Sequence, residues 1–236
     1  MFQLNQTRRE FLKKTTLAAS GLLVGCSYAS KSDLSANSRT PQKLNLWVKI
    51  ASDGQTTITV PSSEMGQGVN TSLPMILAEE LDADWELIRT ETALANSDYA
   101  NPESYSGQMT VGSLSVMGFW DSLRTAGAAA KLMLRKSASQ KWSVPIEECF
   151  AKKGFIYHRK SNRKLSYGDL AKDAGKLETP SDPTLKNSKD YNLVGKPIQR
   201  LDVPGKTNGT AQFGIDVRLP DMLFATVRQS PVFGGE

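Results

Sequence analysis

Apolar side chains occupy every second position through residues 44–50. This period of two is typical of a strand with one buried face. The turn signal Asp53-Gly54 comes next, and residues 56–60 are a run of threonine, isoleucine and valine. The two runs are therefore predicted to pair as a β-hairpin.

Helical spacing appears at two places further along the chain. Apolar residues recur every three or four positions within residues 73–81, with Ser72 as the expected N-cap. A longer apolar face runs through residues 116–134, with Ser115 as the expected cap. The small residues 126–130 indicate that this second helix packs closely against another backbone.

Further strands are predicted between and after these helices. Residues 85–92 have strand character, and residues 154–158 and 165–167 are predicted to form a second hairpin. Residues 210–217 and 223–227 are predicted as the first strands of another module. The expected fold class is α+β, with mixed sheets and packed helices.

The N-terminus has the pattern of an export signal. A charged start containing Arg8-Arg9 precedes a short apolar run that ends near Cys26. The arginine pair predicts the twin-arginine route to the periplasm, with a general secretion signal as the alternative. The sequence before Cys26 resembles a lipobox and predicts lipidation and a membrane anchor; an ordinary cleavage site is the alternative. Residues 27–42 are predicted to be a flexible tether.

Composition and charge limit the chemistry that the chain can perform. One histidine and two cysteines exclude a zinc ribbon and a four-cysteine iron–sulfur cluster. Residues 1–26 carry three of the five net positive charges, so no nucleic-acid partner is expected. An acidic run is predicted to be the solvated end of the first helix; it consists of Glu79, Glu80, Asp82, Asp84 and Glu86.

A glycine-rich loop joins the first hairpin to the first helix. Gly66 and Gly68 allow positive φ angles and a close approach of a ligand to the backbone. The helix start is expected to offer unpaired N–H groups to an anion such as a phosphate. A purely structural turn is the alternative.

Several separated motifs resemble the molybdopterin-binding subunit of the xanthine oxidase family, and especially the isoquinoline 1-oxidoreductase subgroup with its related membrane-side aldehyde dehydrogenases. The first block comprises Asp53-Gly54, the Met-Gly-Gln-Gly-Val segment at residues 65–69, Thr71, and residues 78–81. The second block comprises Gly195-Lys196-Pro197, Arg200-Leu201-Asp202, Lys206, Gly209, Ala211, Asp216, residues 219–223 and Ser230-Pro231.

The resemblance implies two cofactor-binding loops. It assigns cofactor contacts to Gly66, Gln67, Gly68, Val69 and Thr71 in the first loop and to Gln108, Gly112, Ser113 and Ser115 in the second, a loop that also contains Thr110. Gln67 would lie near molybdenum and donate a hydrogen bond to its oxo ligand. Helix capping is the alternative role for the two serines, and Val111 stands where the family often has glycine.

The resemblance also implies a function and a domain plan. It implies a molybdenum hydroxylase that oxidises an aldehyde or an N-heterocycle with water, using a molybdopterin cofactor in the cytosine dinucleotide form. A small partner subunit would carry [2Fe–2S] clusters and accept the electrons. Residues 43–177 would form part of the cofactor domain, residues 178–194 a linker, and residues 195–236 the start of a hammerhead-like module.

No catalytic residue is expected in this chain, because the family's base is a glutamate near the far C-terminus of its members. The chain is accordingly expected to be the N-terminal part of a longer protein and inactive alone; Glu64 and Glu236 are not candidates for that base. A non-catalytic exported lipoprotein, acting as a binding or scaffold module, is the alternative function.

Overall fold

A computed structural model of the protein describes residues 42–104 and 107–235. The predicted export signal of residues 1–26, Cys26 and residues 27–41 of the predicted tether lie outside the described residues. Among the helices that the structure describes, none is both long and apolar enough to cross a membrane.

The first sheet confirms the predicted hairpin. Its strands, in spatial order, are β1 (Gln42–Lys43), β2 (Val48–Ile50), β3 (Thr56–Val60) and β4 (Ile88–Thr92). Strands β2 and β3 are antiparallel, with Val48 opposite Ile58, whereas β3 and β4 are parallel. A parallel pair requires a crossover connection, which the first helix provides.

Two predicted strands are shorter than expected because side chains bind the backbone locally. The side chain of Asn45 accepts the N–H groups of Trp47 and Val48 at 2.9 and 3.2 Å, which bends the chain before β2. The side chain of Asp84 accepts the N–H of Glu86 at 3.2 Å and favours a 3-10 turn, so β4 begins only at Ile88.

Helix α1 (Val69–Leu81) connects β3 to β4 and is buried along most of its length. Ser72 lies inside this helix, so its predicted role as the N-cap is wrong. Gly68 takes that position with a φ of 93°, and the N–H of Asn70 is bound by the side chain of Glu64 at 3.0 Å. A carboxylate that comes from the preceding loop therefore sets the helix start.

Helix α2 (Leu114–Trp142) packs against α1, as its small residues predicted. A Cβ atom added to Gly127 would lie 2.3 Å from the carbonyl oxygen of Leu77, so only glycine permits this approach. The predicted cap is wrong: Ser115 is buried in the first turn, and Ser113 holds the N-cap position without a side-chain capping bond.

A second sheet and a short helix complete the core. The elements are β5 (Cys149–Lys152), β6 (Phe155–His158), β7 (Lys164–Ser166) and α3 (Tyr167–Ala174). The predicted hairpin of β6 and β7 is confirmed, and β5 is added to it in antiparallel orientation. Tyr167 is fully buried and donates its hydroxyl to the carbonyl oxygen of Leu81 at 2.6 Å, which fastens α3 to the end of α1.

The strands predicted at residues 210–217 and 223–227 are absent from the described structure. Beyond helix α4 (Val203–Thr207), residues 214–216 form a single 3-10 turn, and no described strand pairs with this region. An isolated strand gains no backbone hydrogen bonds, so an apolar run without a pairing partner does not become one. The hammerhead-like module stays a prediction.

Glu79 is buried in α1, which contradicts the predicted solvated acidic run. One carboxylate oxygen accepts the backbone N–H groups of Asn192, Leu193 and Val194 at 2.8, 2.6 and 3.1 Å. The other oxygen binds the ammonium group of Lys186 at 2.8 Å. Burial raises the pKa of Glu79, but these bonds outweigh it and bring the pKa below its ordinary value.

Glu80 is also fully buried and bridges two elements. Its carboxylate accepts from Arg124 Nε of α2 at 2.8 Å and from the backbone N–H of Lys186 at 2.9 Å. The predicted linker of residues 178–194 is thus held against α1 by hydrogen bonds to two consecutive carboxylates.

Replacement of Glu79 by glutamine tests this arrangement. Glu79→Gln should lower the free energy of unfolding by about 1–3 kcal/mol, because three backbone N–H groups lose an anionic acceptor, whereas Lys186 loses one of two partners and keeps its ion pair with Asp82 at 2.6 Å. Chemical denaturation measures the effect, with the exposed Glu86→Gln as the matched control at under about 0.5 kcal/mol.

The same pair of variants has a pH signature. A carboxylate with a lowered pKa stabilises the fold above its unfolded pKa, and this contribution is lost as pH falls through the folded pKa. The difference in stability between wild type and Glu79→Gln should therefore shrink in acid. An equal difference at all pH values would show that the charge of Glu79 does not matter.

Candidate functional site

The glycine-rich loop has the backbone conformation that the sequence predicted. Gly66 and Gly68 have φ values of 105° and 93°, in the left-handed region that favours glycine. Apart from Gly66 and its two neighbours in the chain, no atom of the described residues would lie within 4 Å of a Cβ atom added to Gly66, so the space above this residue is open. Glycine is required here for conformation, and a ligand can approach the backbone.

The anion position at the start of α1 is filled by the protein itself. One carboxylate oxygen of Glu64 accepts the N–H groups of Gly66 and Gly68 at 2.8 and 3.0 Å, and the other accepts that of Asn70 at 3.0 Å. The expectation of unpaired N–H groups for a phosphate is therefore wrong at this position. Burial raises the pKa of Glu64, but the three N–H donors bring it below the ordinary value.

The side chain of Gln67 closes the loop. Its amide oxygen accepts the N–H of Met65 at 2.5 Å, and its amide nitrogen donates to the carbonyl oxygen of Ser63 at 2.8 Å. The residue is exposed at the loop surface. Both polar groups are thus used within the loop, and a bond from Gln67 to a ligand would have to replace one of them.

The two other predicted residues of the first loop point into the protein. Val69 is part of the buried core, with 3% of its surface exposed. Thr71 is buried, and its hydroxyl accepts the backbone N–H of Leu201 at 3.0 Å. Both side chains are therefore buried beneath the loop, where they support its backbone and are not accessible to a ligand.

The second predicted loop lies against the first. Gln108 donates to the carbonyl oxygen of Pro61 at 3.1 Å, and the hydroxyl of Thr110 accepts the N–H of Ser63 at 2.9 Å. Gly112 and Ser113 are exposed and have consecutive positive φ values of 61° and 59°. The structure thus brings together two segments that are 47 residues apart in sequence.

A cleft of about 600 Å³ opens where the two loops meet. It is lined by Pro61, Ser63, Met65, Ala93, Ala95, Asn96, Ser97, Gln108 and Thr110. The polar groups of this lining are neutral amides, hydroxyls and backbone atoms, which match the ring N–H and carbonyl groups of a heterocycle such as a pterin. Gln108 is the one residue of this lining that the resemblance assigned to the cofactor, and its amide already binds the N–H of Asn96 at 3.2 Å and the carbonyl oxygen of Pro61 at 3.1 Å. The lining has the chemical character that suits a heterocycle, and this amide would exchange a protein partner for the ligand.

Two residues of the site were not identified from the sequence. Glu64 was set aside as a catalytic base, and its role as the anion at the helix start was not predicted. Arg200, more than 130 residues away, donates to the carbonyl oxygen of Gly66 at 2.9 Å and contacts Glu64 at 3.2 Å. The order Glu-x-Gly-x-Gly before a helix was the available signal for Glu64; no local signal marks Arg200.

The pKa of Glu64 gives a direct test of the loop geometry. The amide protons of Gly66, Gly68 and Asn70 should titrate together in NMR spectra, because they share one carboxylate. Their common midpoint should lie below the ordinary pKa of a glutamate side chain, and loop order should be lost as pH falls through it. In Glu64→Gln the shared titration should vanish, whereas Glu103→Gln should leave it unchanged. Separate midpoints for the three amides would contradict the shared carboxylate.

The chain is similar to several known proteins. It is 33% identical to isoquinoline 1-oxidoreductase subunit beta of Brevundimonas diminuta over 264 aligned residues, which cover 97% of this chain and 34% of the relative. It is 30% identical to a membrane-bound aldehyde dehydrogenase [pyrroloquinoline-quinone] of Gluconacetobacter polyoxogenes, over 97% of this chain and 30% of the relative. The chain therefore spans about a third of the length of these relatives.

Among solved structures, quinoline 2-oxidoreductase from Pseudomonas putida 86 aligns with a TM-score of 0.41 at 19% identity, over 58% of this chain and 17% of the other. The family model for the molybdopterin cofactor-binding domain matches residues 3–217, which is most of the sequence. The chain belongs to the family of molybdopterin cofactor-binding domains.

Proposed function

We propose that this chain contributes part of the molybdenum-cofactor site of an oxidoreductase that hydroxylates an N-heterocycle or oxidises an aldehyde with oxygen from water. The observation that carries the proposal is the hydrogen-bonded contact of the two implied cofactor loops at a single cleft. The names of the relatives, an isoquinoline oxidoreductase and an aldehyde dehydrogenase, support the substrate classes. The family match disfavours the alternative of a non-catalytic scaffold.

The residues of the cleft bind and orient the cofactor in this proposal. When bound, the molybdenum cofactor supplies the two-electron oxidation. Gly66 presents open backbone, and the amides and hydroxyls around the cleft supply hydrogen bonds to the heterocycle. Gln67 would help to hold the cofactor through its amide nitrogen, which would have to release the carbonyl oxygen of Ser63 to do so.

Proton transfer to or from the substrate is not assigned to Glu64. Its carboxylate is held by three N–H groups and by Arg200, and its pKa lies below the ordinary value, so it is a poor base. We place the base in the C-terminal part of family members, and the electron acceptor in a small [2Fe–2S] partner subunit. The cytosine dinucleotide form of the cofactor belongs to the same proposal.

Two loop variants of the cofactor-loaded enzyme test the assigned roles. Gln67→Ala should lower kcat about 10²–10³-fold while molybdenum is retained, because one preorganised donor to a developing charge is lost. Gly68→Val should instead lower the molybdenum content, because a β-branched residue is strained at a φ of 93°. Metal analysis and steady-state rates separate the two effects.

The control for the loop variants is Gln140→Ala, which removes an exposed amide from α2 and should change neither quantity. Normal molybdenum content and normal rates in both loop variants would show that the loop is only a turn. A wild-type protein that holds a quinone and no molybdenum would contradict the proposed cofactor, in favour of the one in the aldehyde dehydrogenase's name.

Export through the twin-arginine route, with a lipid on Cys26, is the proposed path to the periplasm. It is supported by Arg8-Arg9 and by the lipobox-like residues before Cys26. Replacing both arginines by lysine should leave the protein in the cytoplasm, as fractionation and immunoblotting would show. Mass spectrometry of the exported protein should find an acylated Cys26 at its N-terminus. Unchanged export, or a mature terminus beyond Cys26, would contradict the respective part of this proposal.

A further inference from the structure

We infer that Arg200 is a positioning residue of the cofactor loop: its guanidinium group fixes the backbone from Glu64 to Gly68 in the conformation that receives the cofactor. This inference rests on the proposed function for its link to the cofactor. It reassigns the Arg200-Leu201-Asp202 motif, which the resemblance placed in a separate module, to the site itself.

The first step is the contact that Arg200 makes with the loop. Its Nη1 donates to the carbonyl oxygen of Gly66 at 2.9 Å, and its Nη2 contacts Glu64 Oε1 at 3.2 Å. The same Glu64 oxygen accepts the N–H groups of Gly66 and Gly68. Arg200 therefore binds both the carboxylate that organises the loop and a carbonyl group of the loop itself.

The second step is the orientation of the guanidinium group. Nε and Nη2 of Arg200 form a bidentate pair with Asp202, at 2.9 and 2.7 Å. The ammonium group of Lys206 binds the same Asp202 carboxylate at 2.5 Å. The planar fork of an arginine allows this pair and the loop contacts at once, which the single ammonium of a lysine cannot reproduce.

Asp202 remains charged at every pH at which the protein is expected to work. The hydrogen bonds from Arg200 hold its pKa far below the usual range, with a further contribution from Lys206. The orientation of the guanidinium group is therefore independent of pH near neutrality.

The third step is the attachment of this segment to α1. The backbone N–H of Leu201 donates to the hydroxyl of Thr71 at 3.0 Å, and Leu201 packs against the core. Arg200 is thus anchored on one side by Asp202 and on the other by Leu201, at a fixed distance from the first turn of α1.

The fourth step is electrostatic. Glu64 puts a carboxylate, with only 9% of its side chain exposed, within the loop that is proposed to hold the cofactor. An unpaired carboxylate there would repel an anionic cofactor. Arg200 neutralises it, and its own side chain is about one third exposed, so this ion pair is expected to add little to global stability. A positioning residue is expected to affect the order of the loop without affecting the stability of the whole fold.

The test measures the loop directly and does not depend on turnover. Arg200→Lys in the intact protein should accelerate hydrogen exchange of residues 64–70 about tenfold. The Tm should change by no more than about 2 °C, because the Arg200 side chain is partly exposed to solvent and a lysine keeps its positive charge. Asp202→Asn, which keeps the arginine but weakens its orientation, should give a smaller acceleration at the same residues. The exposed Arg228→Lys is the matched control and should change neither quantity.

Molybdenum content provides the second readout and should fall severalfold in Arg200→Lys. Unchanged exchange at residues 64–70 in both variants would overturn the inference, as would a uniform acceleration over the whole chain with a large loss of Tm, which would mark Arg200 as a general structural residue. A wild-type protein without molybdenum would contradict the proposed function, whereas local loop protection by Arg200 would still be tested by the exchange data.

Discussion

The burial of two consecutive carboxylates in α1 is the constraint on which the rest of the structure depends. A buried carboxylate is costly unless it is paired and fully hydrogen-bonded, so Glu79 and Glu80 require donors from elsewhere in the chain. Arg124 of α2 and the backbone between residues 186 and 194 supply them. The position of α1 relative to α2 and to this segment follows from that requirement.

The same helix fixes the candidate site at its other end. The positive end of α1 attracts an anion, and Glu64 provides one from within the chain. The loop is thereby ordered before any ligand arrives, at the cost of a place where a phosphate could bind. Preorganisation of this kind reduces the conformational entropy that the protein loses when a cofactor binds. It suits a loop that must present open backbone at Gly66.

Membership of the molybdopterin cofactor-binding family gives this geometry its chemical context. Two loops that are distant in sequence meet at a cleft lined by neutral hydrogen-bonding groups, and a charged cluster around Arg200 stands behind the first loop. This separation of neutral from charged groups suits the proposed function. The neutral donors can bind a heterocycle, while the charged groups pair with one another. The chain spans about a third of the length of these relatives, and it contains both loops together with the residues that support them.

The sequence by itself determined the local features of this protein. The first hairpin, the long helix α2, the positive φ angles of Gly66 and Gly68, and the close contact at Gly127 all follow from periodicity or from the conformational range of glycine. Only the tertiary structure decided which charges are buried. Glu79 and Glu80 stand in a run of acidic residues that predicts a solvated helix end, and their partners lie up to 115 residues away. Arg200 reaches Glu64 across 136 residues. Charge burial depends on such distant donors, and short-range patterns in a sequence carry no information about them.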